Sequence, residues 1–130
     1  MRIDRSRGWR LLLSAYLLLW VPANFAIELV SVLPSLGWRG PVAAIELALH
    51  GAVAALAFGA GRAIWSPRDD APAFASLAVI LSTAVGIQSL YWSSLPGQTK
   101  PGDELPLSVL LAVHGGVWLL YLRRQVPASR

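Results

Sequence analysis

Four apolar stretches alternate with short polar blocks along this chain, at about 9–33, 42–65, 72–92 and 105–122. A bilayer core of about 30 Å is crossed by about 20 apolar residues in helical form, so each stretch predicts one transmembrane helix. The pattern therefore predicts an all-α integral membrane four-helix bundle, with residues 1–130 forming a single domain. Prolines agree with the predicted starts. Pro41, Pro72 and Pro106 fall in or near first turns, where a missing N–H leaves no helical bond unmade. Pro22 lies inside the first stretch and predicts a kink there. Trp9, Trp65 and Tyr121 mark one membrane interface, and Trp38, Tyr91 and Trp92 mark the other.

Composition strengthens this picture: 55% of residues are hydrophobic and 14% charged, against roughly 25% charged in a soluble domain. The net charge of +4 does not point to nucleic acid, because the arginines flank apolar segments instead of forming a patch on a polar face. Their distribution orients the chain. Arg2, Arg5, Arg7, Arg10, Arg62, Arg68, Arg123, Arg124 and Arg130 belong to one side, and only Arg39 and Lys100 to the other. Of eleven basic residues, nine thus share a side, which predicts cytoplasmic termini and a cytoplasmic 62–71 loop. The Pro/Gly-rich 93–104 segment becomes the main external connector. A competing reading makes Arg2–Arg10, Leu11–Leu19 and Val21-Pro22-Ala23 the three parts of a cleaved signal peptide. Apolar sequence continues through Leu33, as a full span requires. Cysteine is absent, which excludes disulfides and thiolate-ligated metals.

A repeat appears at a spacing of 64 residues. Leu47-Ala48-Leu49-His50-Gly51 aligns with Leu111-Ala112-Val113-His114-Gly115, and Asn24 falls on Gln88. This describes two duplicated helical hairpins or a chance likeness of two Leu/Ala/Gly/Val-rich helices.

Ionisable groups inside a span are expensive and need a partner or a purpose. Six polar residues form a candidate intramembrane cluster: Asn24, Glu28, Glu46, His50, Gln88 and His114. At 1.5 Å per residue, His50 and His114 lie at about 12 and 13 Å from the external helix ends. Glu46 and His50 form one i, i+4 pair able to share a hydrogen bond, and Asn24 and Glu28 form another. The buried polarity thus collects in the external half. Three accounts are open. The cluster is hydrogen-bonded glue, or an externally open pocket that binds a ligand or relays protons, or a pair of histidines ligating haem b. Zinc would need Glu46, His50 and His114 to converge.

Small residues predict packing seams: Gly51, Ala55, Gly59 and Ala63 on the second helix, Ala78, Ser82 and Gly86 on the third, and Ser108, Ala112 and Gly116 on the fourth. No phosphate loop, nucleophile elbow or Ser-x-x-Lys pattern occurs. Asp69-Asp70 and Asp103-Glu104 read as solvated loop charge.

Several short motifs fall in an order that resembles the DUF2569 family of small four-span bacterial membrane proteins. Gly8-Trp9 opens the first helix, Glu46 lies in the second, and Ile64-Trp65-Ser66-Pro67-Arg68 forms a basic loop before Ala71-Pro72. Trp118-Leu119-Leu120-Tyr121-Leu122-Arg123-Arg124 resembles the family's closing segment, with Gln125-Val126-Pro127 standing where the family has Ser-x-Arg-Val. The resemblance implies a bacterial inner-membrane protein and carries no activity.

The expectation is a non-catalytic accessory or interaction subunit, in the bilayer and without cofactor, as a homo-oligomer or with a membrane partner. The alternatives are a transporter or ligand-binding protein with an external pocket, and a bis-histidine haem b electron carrier.

Overall fold

The computed structural model describes residues 2–95 and 100–125, with side chains from residue 7 onward. Arg2, Arg5, Arg130 and the middle of the predicted external connector therefore lie outside the described side chains. The first span runs through α1 (Arg2–Ala15), a π-helical segment (Tyr16–Trp20), α2 (Val21–Val32), a 3-10 turn (Leu33–Ser35) and the short α3 (Leu36–Arg39). The second, third and fourth spans are α4 (Pro41–Ala63), α5 (Ala71–Tyr91) and α6 (Glu104–Gln125). No strand occurs among the described residues. Four helices are long and apolar enough to cross a membrane, from Arg7–Arg39 to Glu104–Gln125, giving a multi-pass arrangement.

Local chemistry explains the breaks. Pro22 offers no N–H to the carbonyl of Leu18 and its ring crowds that carbonyl, so the preceding turn widens into the π-helical Tyr16–Trp20. The predicted perturbation at Pro22 thus takes the form of a widened turn. Between α3 and α4 the chain reverses at Gly40, whose φ of +87° is costly for any residue with a Cβ. Pro41, Pro72 and Pro106 all lie in first turns, as predicted.

The chain order alternates direction, and side-chain contacts identify the two ends. At the end holding the 64–70 loop, the Trp65 indole N–H donates to Ser14 Oγ at 2.6 Å, and the Arg10 guanidinium lies 5.6 Å from the Trp65 ring. There too, Trp9 stacks on Tyr121 at 5.8 Å. We call this the terminal end. At the opposite end Tyr91 Oη and Ser108 Oγ are 3.0 Å apart, and Trp38 and Trp92 are exposed. The two predicted aromatic belts are thus separated along the bundle.

The core divides the same way. In the terminal half Leu13, Leu17, Ala57, Ala60, Ala78, Val79, Trp118 and Leu122 draw all four spans together. Near the opposite end, Val32, Ala43, Leu47 and Leu95 join only the first span, α4 and the chain after α5. Alanine and glycine permit the close approach: a Cβ at Gly61 would fall 2.6 Å from Leu18 Cγ, and one at Gly115 2.5 Å from Thr83 Oγ1.

The predicted seams need correction. Gly51 faces Phe25 and Gly59 faces Phe74, so the α4 stripe serves two neighbours, and Ala55 is exposed. On α6 the predicted row is not a seam of this bundle, since Ala112 is exposed and a Cβ at Gly116 would meet nothing within 4 Å. The packed face carries Gly115, Trp118 and Leu122 instead. One residue rotates a helix by about 100°, and the pair Gly115-Gly116 does not itself say which glycine faces inward.

Candidate functional site

Residues 43, 46, 47, 50, 53, 54, 57 and 60 form the buried face of α4, an i, i+3/i+4 series that carries Glu46 and His50 inward. Facing them are Glu28 from α2 and Gln88 from α5. His50 Nδ1 lies 2.8 and 3.0 Å from the two Glu28 carboxylate oxygens. His50 Nε2 lies 3.4 Å from Gln88 Oε1 and 3.9 Å from Glu46 Oε1.

The predicted Glu46–His50 hydrogen bond is therefore replaced by a longer charge contact, because Glu46 is satisfied elsewhere. Its Oε1 accepts from Ser93 Oγ at 2.6 Å and Gln88 Nε2 at 3.3 Å, and its Oε2 accepts the Ser94 backbone N–H at 2.8 Å. The segment following α5 thus folds onto the carboxylate, and Ser93 Oγ in turn accepts the Leu95 N–H at 3.1 Å.

The amide orientation of Gln88 follows from its partners. Its nitrogen faces two acceptors, Glu46 Oε1 and the Trp92 carbonyl, which turns its oxygen toward His50. Both imidazole nitrogens of His50 then face acceptor oxygens. An imidazolium, with two N–H donors, satisfies that arrangement.

Asn24 and His114 are not joined to this network. Asn24 Nδ2 donates to the Trp20 carbonyl at 2.8 Å, one turn back, so the predicted Asn24–Glu28 pair does not form. His114 Nε2 accepts the Trp118 indole N–H at 3.1 Å, and its ring lies edge-on to Tyr16 at 4.7 Å. His114 ends an aromatic ladder of Trp9, Tyr121, Trp118 and His114 that ties the first span to α6 in the terminal half. Beyond Tyr16 no comparable packing joins α2 to α6.

Where the two spans part, a cavity of about 810 Å³ occupies the opposite half of the bundle. Tyr16 and His114 lie at its base, and Trp20, Asn24, Glu28 and Ser31 step along its first-span wall. His50, Val53 and Ala54 line the α4 side, and Ser82, Val85, Gly86 and Ser89 the α5 side. Ser82 Oγ is buried there without a hydrogen-bond partner among the described residues. Ser82 and Gly86, predicted as part of a packing seam with Ala78, line this cavity, with Gly86 also facing Leu111, while Val85, Ser89 and Ser93 escaped a prediction focused on ionisable residues. Their signal was the i, i+3/i+4 recurrence of small and hydroxyl side chains on α5.

The two halves of the repeat agree in their glycines and differ in their histidines. A Cβ at Gly51 would strike Phe25 of the preceding span, and one at Gly115 Thr83 of its preceding span. His50 is buried in the network, whereas His114 is exposed.

Haem ligation uses an imidazole nitrogen on each side of the iron. Both ring nitrogens of His50 face protein partners, and Nε2 of His114 accepts from Trp118. Among the described residues no group of three or more His, Asp or Glu side chains is placed to hold a metal ion. Comparison with known protein families, with curated proteins and with solved structures found no match for the chain.

Proposed function

We propose that this is an inner-membrane protein of a bacterium, with both termini cytoplasmic, that binds a small amphiphilic ligand in the cavity between its first and fourth spans. The observation that carries this reading is the cavity itself. Its volume of about 810 Å³ falls in the range of about 300–1,000 Å³ occupied by ligand sites, and its walls are apolar with a few convergent polar groups. A network needed only as glue would close on itself. Here Glu28 and His50 of the network line open volume instead, with Asn24, Ser82 and His114 beside them on the same walls. The nine-to-two distribution of basic residues supports the orientation, and puts the cavity in the external half. The DUF2569 likeness is consistent with four spans and brings no activity.

A second reading, the accessory subunit or homo-oligomer, draws support from Ala112 and Gly116 on α6, which present small residues away from the bundle. The two readings are compatible.

Native mass spectrometry after extraction in a mild detergent tests the binding role. The parent should carry a small-molecule adduct of defined mass, and Val85→Trp or Ser89→Phe, each filling the cavity, should lose it while keeping helicity. A parent without an adduct, or one equally retained by both variants, overturns the reading.

A further inference from the structure

We infer that the cavity takes an organic cation with an apolar body, held by Glu28; this inference rests on the ligand-binding reading above. The charge inventory is short. Among the residues lining the cavity, only Glu28, His50 and His114 carry ionisable acid or base groups other than tyrosine. Among the described residues, no lysine or arginine lines it. His114 accepts a hydrogen bond at Nε2, which a neutral ring does and an imidazolium does not.

Around His50 the balance is one-sided. Two carboxylates, Glu28 and Glu46, flank a single imidazole at 2.8 and 3.9 Å. Even with His50 charged, the group carries one more negative than positive charge. Glu46 is buried, and three donors occupy its oxygens. Glu28 differs: its side chain is 26% exposed, and His50 is its one hydrogen-bond partner among the described residues. A carboxylate has about four lone-pair sites, so most of its acceptor capacity is open to the cavity. Negative charge in a membrane interior demands a counter-charge. No other described residue on the cavity wall supplies one.

The rest of the lining suits the remainder of such a ligand. Tyr16, Trp20 and Phe25 present aromatic rings along the first-span wall, and ring faces attract cations. Leu110, Leu111, Val85 and Leu90 supply apolar surface opposite. Beyond Val21 no buried hydrophobic cluster joins α2 to α6 among the described residues, and the cavity opens sideways between them, where Ile27 and Leu110 are exposed. An amphiphile entering from the bilayer would meet this gap with its charged group already near the depth of Glu28.

The probes are tetraphenylphosphonium and its near-isosteric anion tetraphenylborate, measured by equilibrium dialysis against nanodiscs of uncharged-net lipid with and without the protein. The parent should bind the cation saturably and the anion only as empty nanodiscs do. Glu28→Gln preserves an acceptor for His50 and should weaken cation binding about tenfold or more. His50→Gln removes the one basic side chain between the two carboxylates and should leave cation binding as tight or tighter, which a merely structural role for the pair would not produce. Saturable cation binding that survives Glu28→Gln but disappears in Val85→Trp overturns the charge assignment and leaves the cavity reading standing. Absence of saturable cation binding by the parent, or saturable binding of the anion, also overturns the inference. The adduct measurement above then decides the cavity reading on its own.

Discussion

Replacing Glu46 by glutamine changes almost nothing in shape and inverts one hydrogen-bonding site. In the parent both oxygens accept: Oε1 from Ser93 Oγ and Gln88 Nε2, and Oε2 from the Ser94 N–H. A glutamine must place its NH2 at one of these positions. At the Oε2 position it opposes the fixed Ser94 N–H. At the Oε1 position it opposes the Gln88 NH2, and the Ser93 hydroxyl, already accepting from Leu95, loses its own acceptor. Each orientation loses a charge-assisted bond and leaves a donor facing a donor. Bonds to charged groups contribute about 1.5–3 kcal/mol in water-soluble proteins, and membrane hydrogen bonds about 0.6–2 kcal/mol. Glu46→Gln should therefore destabilise by about 2 kcal/mol, read from reversible unfolding in dodecyl sulfate titrated into mixed micelles. Ser93→Ala should cost about 1 kcal/mol in the parent and less in the Glu46→Gln background, where its bond to Leu95 remains but its charge-assisted bond is already gone. A Glu46→Gln protein within about 0.5 kcal/mol of the parent, or strict additivity of the pair, would refute the assigned network.

Two further outcomes follow from the packing and the exposed loop. Gly115→Ala, whose Cβ would fall 2.5 Å from Thr83 Oγ1, should lower stability by about 1–3 kcal/mol, whereas Gly116→Ala, with open space around it, should be neutral or stabilising by up to about 1 kcal/mol in the same titration. In the 64–70 loop, Arg68 donates to Asp70 at 2.8 and 2.6 Å, which holds the Asp70 carboxyl below its ordinary range. The folded form therefore keeps Asp70 charged to lower pH than the unfolded chain does, and any stabilisation is lost as pH falls through that lowered value. Carboxyl-carbon NMR should show Asp70 titrating late on acidification and returning to the ordinary range in Arg68→Gln. Titration at the same pH in both proteins would remove the pairing.

The number of spans was legible because a bilayer demands long apolar runs, and the helices Pro41–Ala63 and Ala71–Tyr91 fall within two residues of the predicted stretches, whereas the first span continues six residues past its predicted end to Arg39 and the fourth three past its own to Gln125. The polar cluster was legible as a list and not as a wiring diagram. Sequence spacing suggested Glu46 with His50 and Asn24 with Glu28, since neighbours on one helix are visible at i, i+4. The observed partners lie across helices, 22 residues apart for Glu28 and His50 and 47 for Glu46 and Ser93. Which cross-helix pair forms depends on the rotation of each helix about its axis, and the apolar residues of α5 and α6 surround those helices too evenly to fix it. The same ambiguity selected Gly116 instead of Gly115. The cavity left no single-residue signature, because it arises where the aromatic ladder ends and two spans separate.

Labelling of introduced cysteines tests most directly whether that cavity is an accessible polar site. The chain has no native cysteine, so each variant reports one position. Ser89→Cys and Ser82→Cys line the cavity, while Leu77→Cys and Ile80→Cys lie on exposed faces of the same helix, toward lipid. With a water-soluble, membrane-impermeant thiol reagent added outside intact cells, Ser89→Cys should react readily and Ser82→Cys, whose side-chain atom is buried in the cavity wall, far more slowly, and Val85→Trp should slow both. Cavity cysteines as unreactive as those at 77 and 80 would contradict the account.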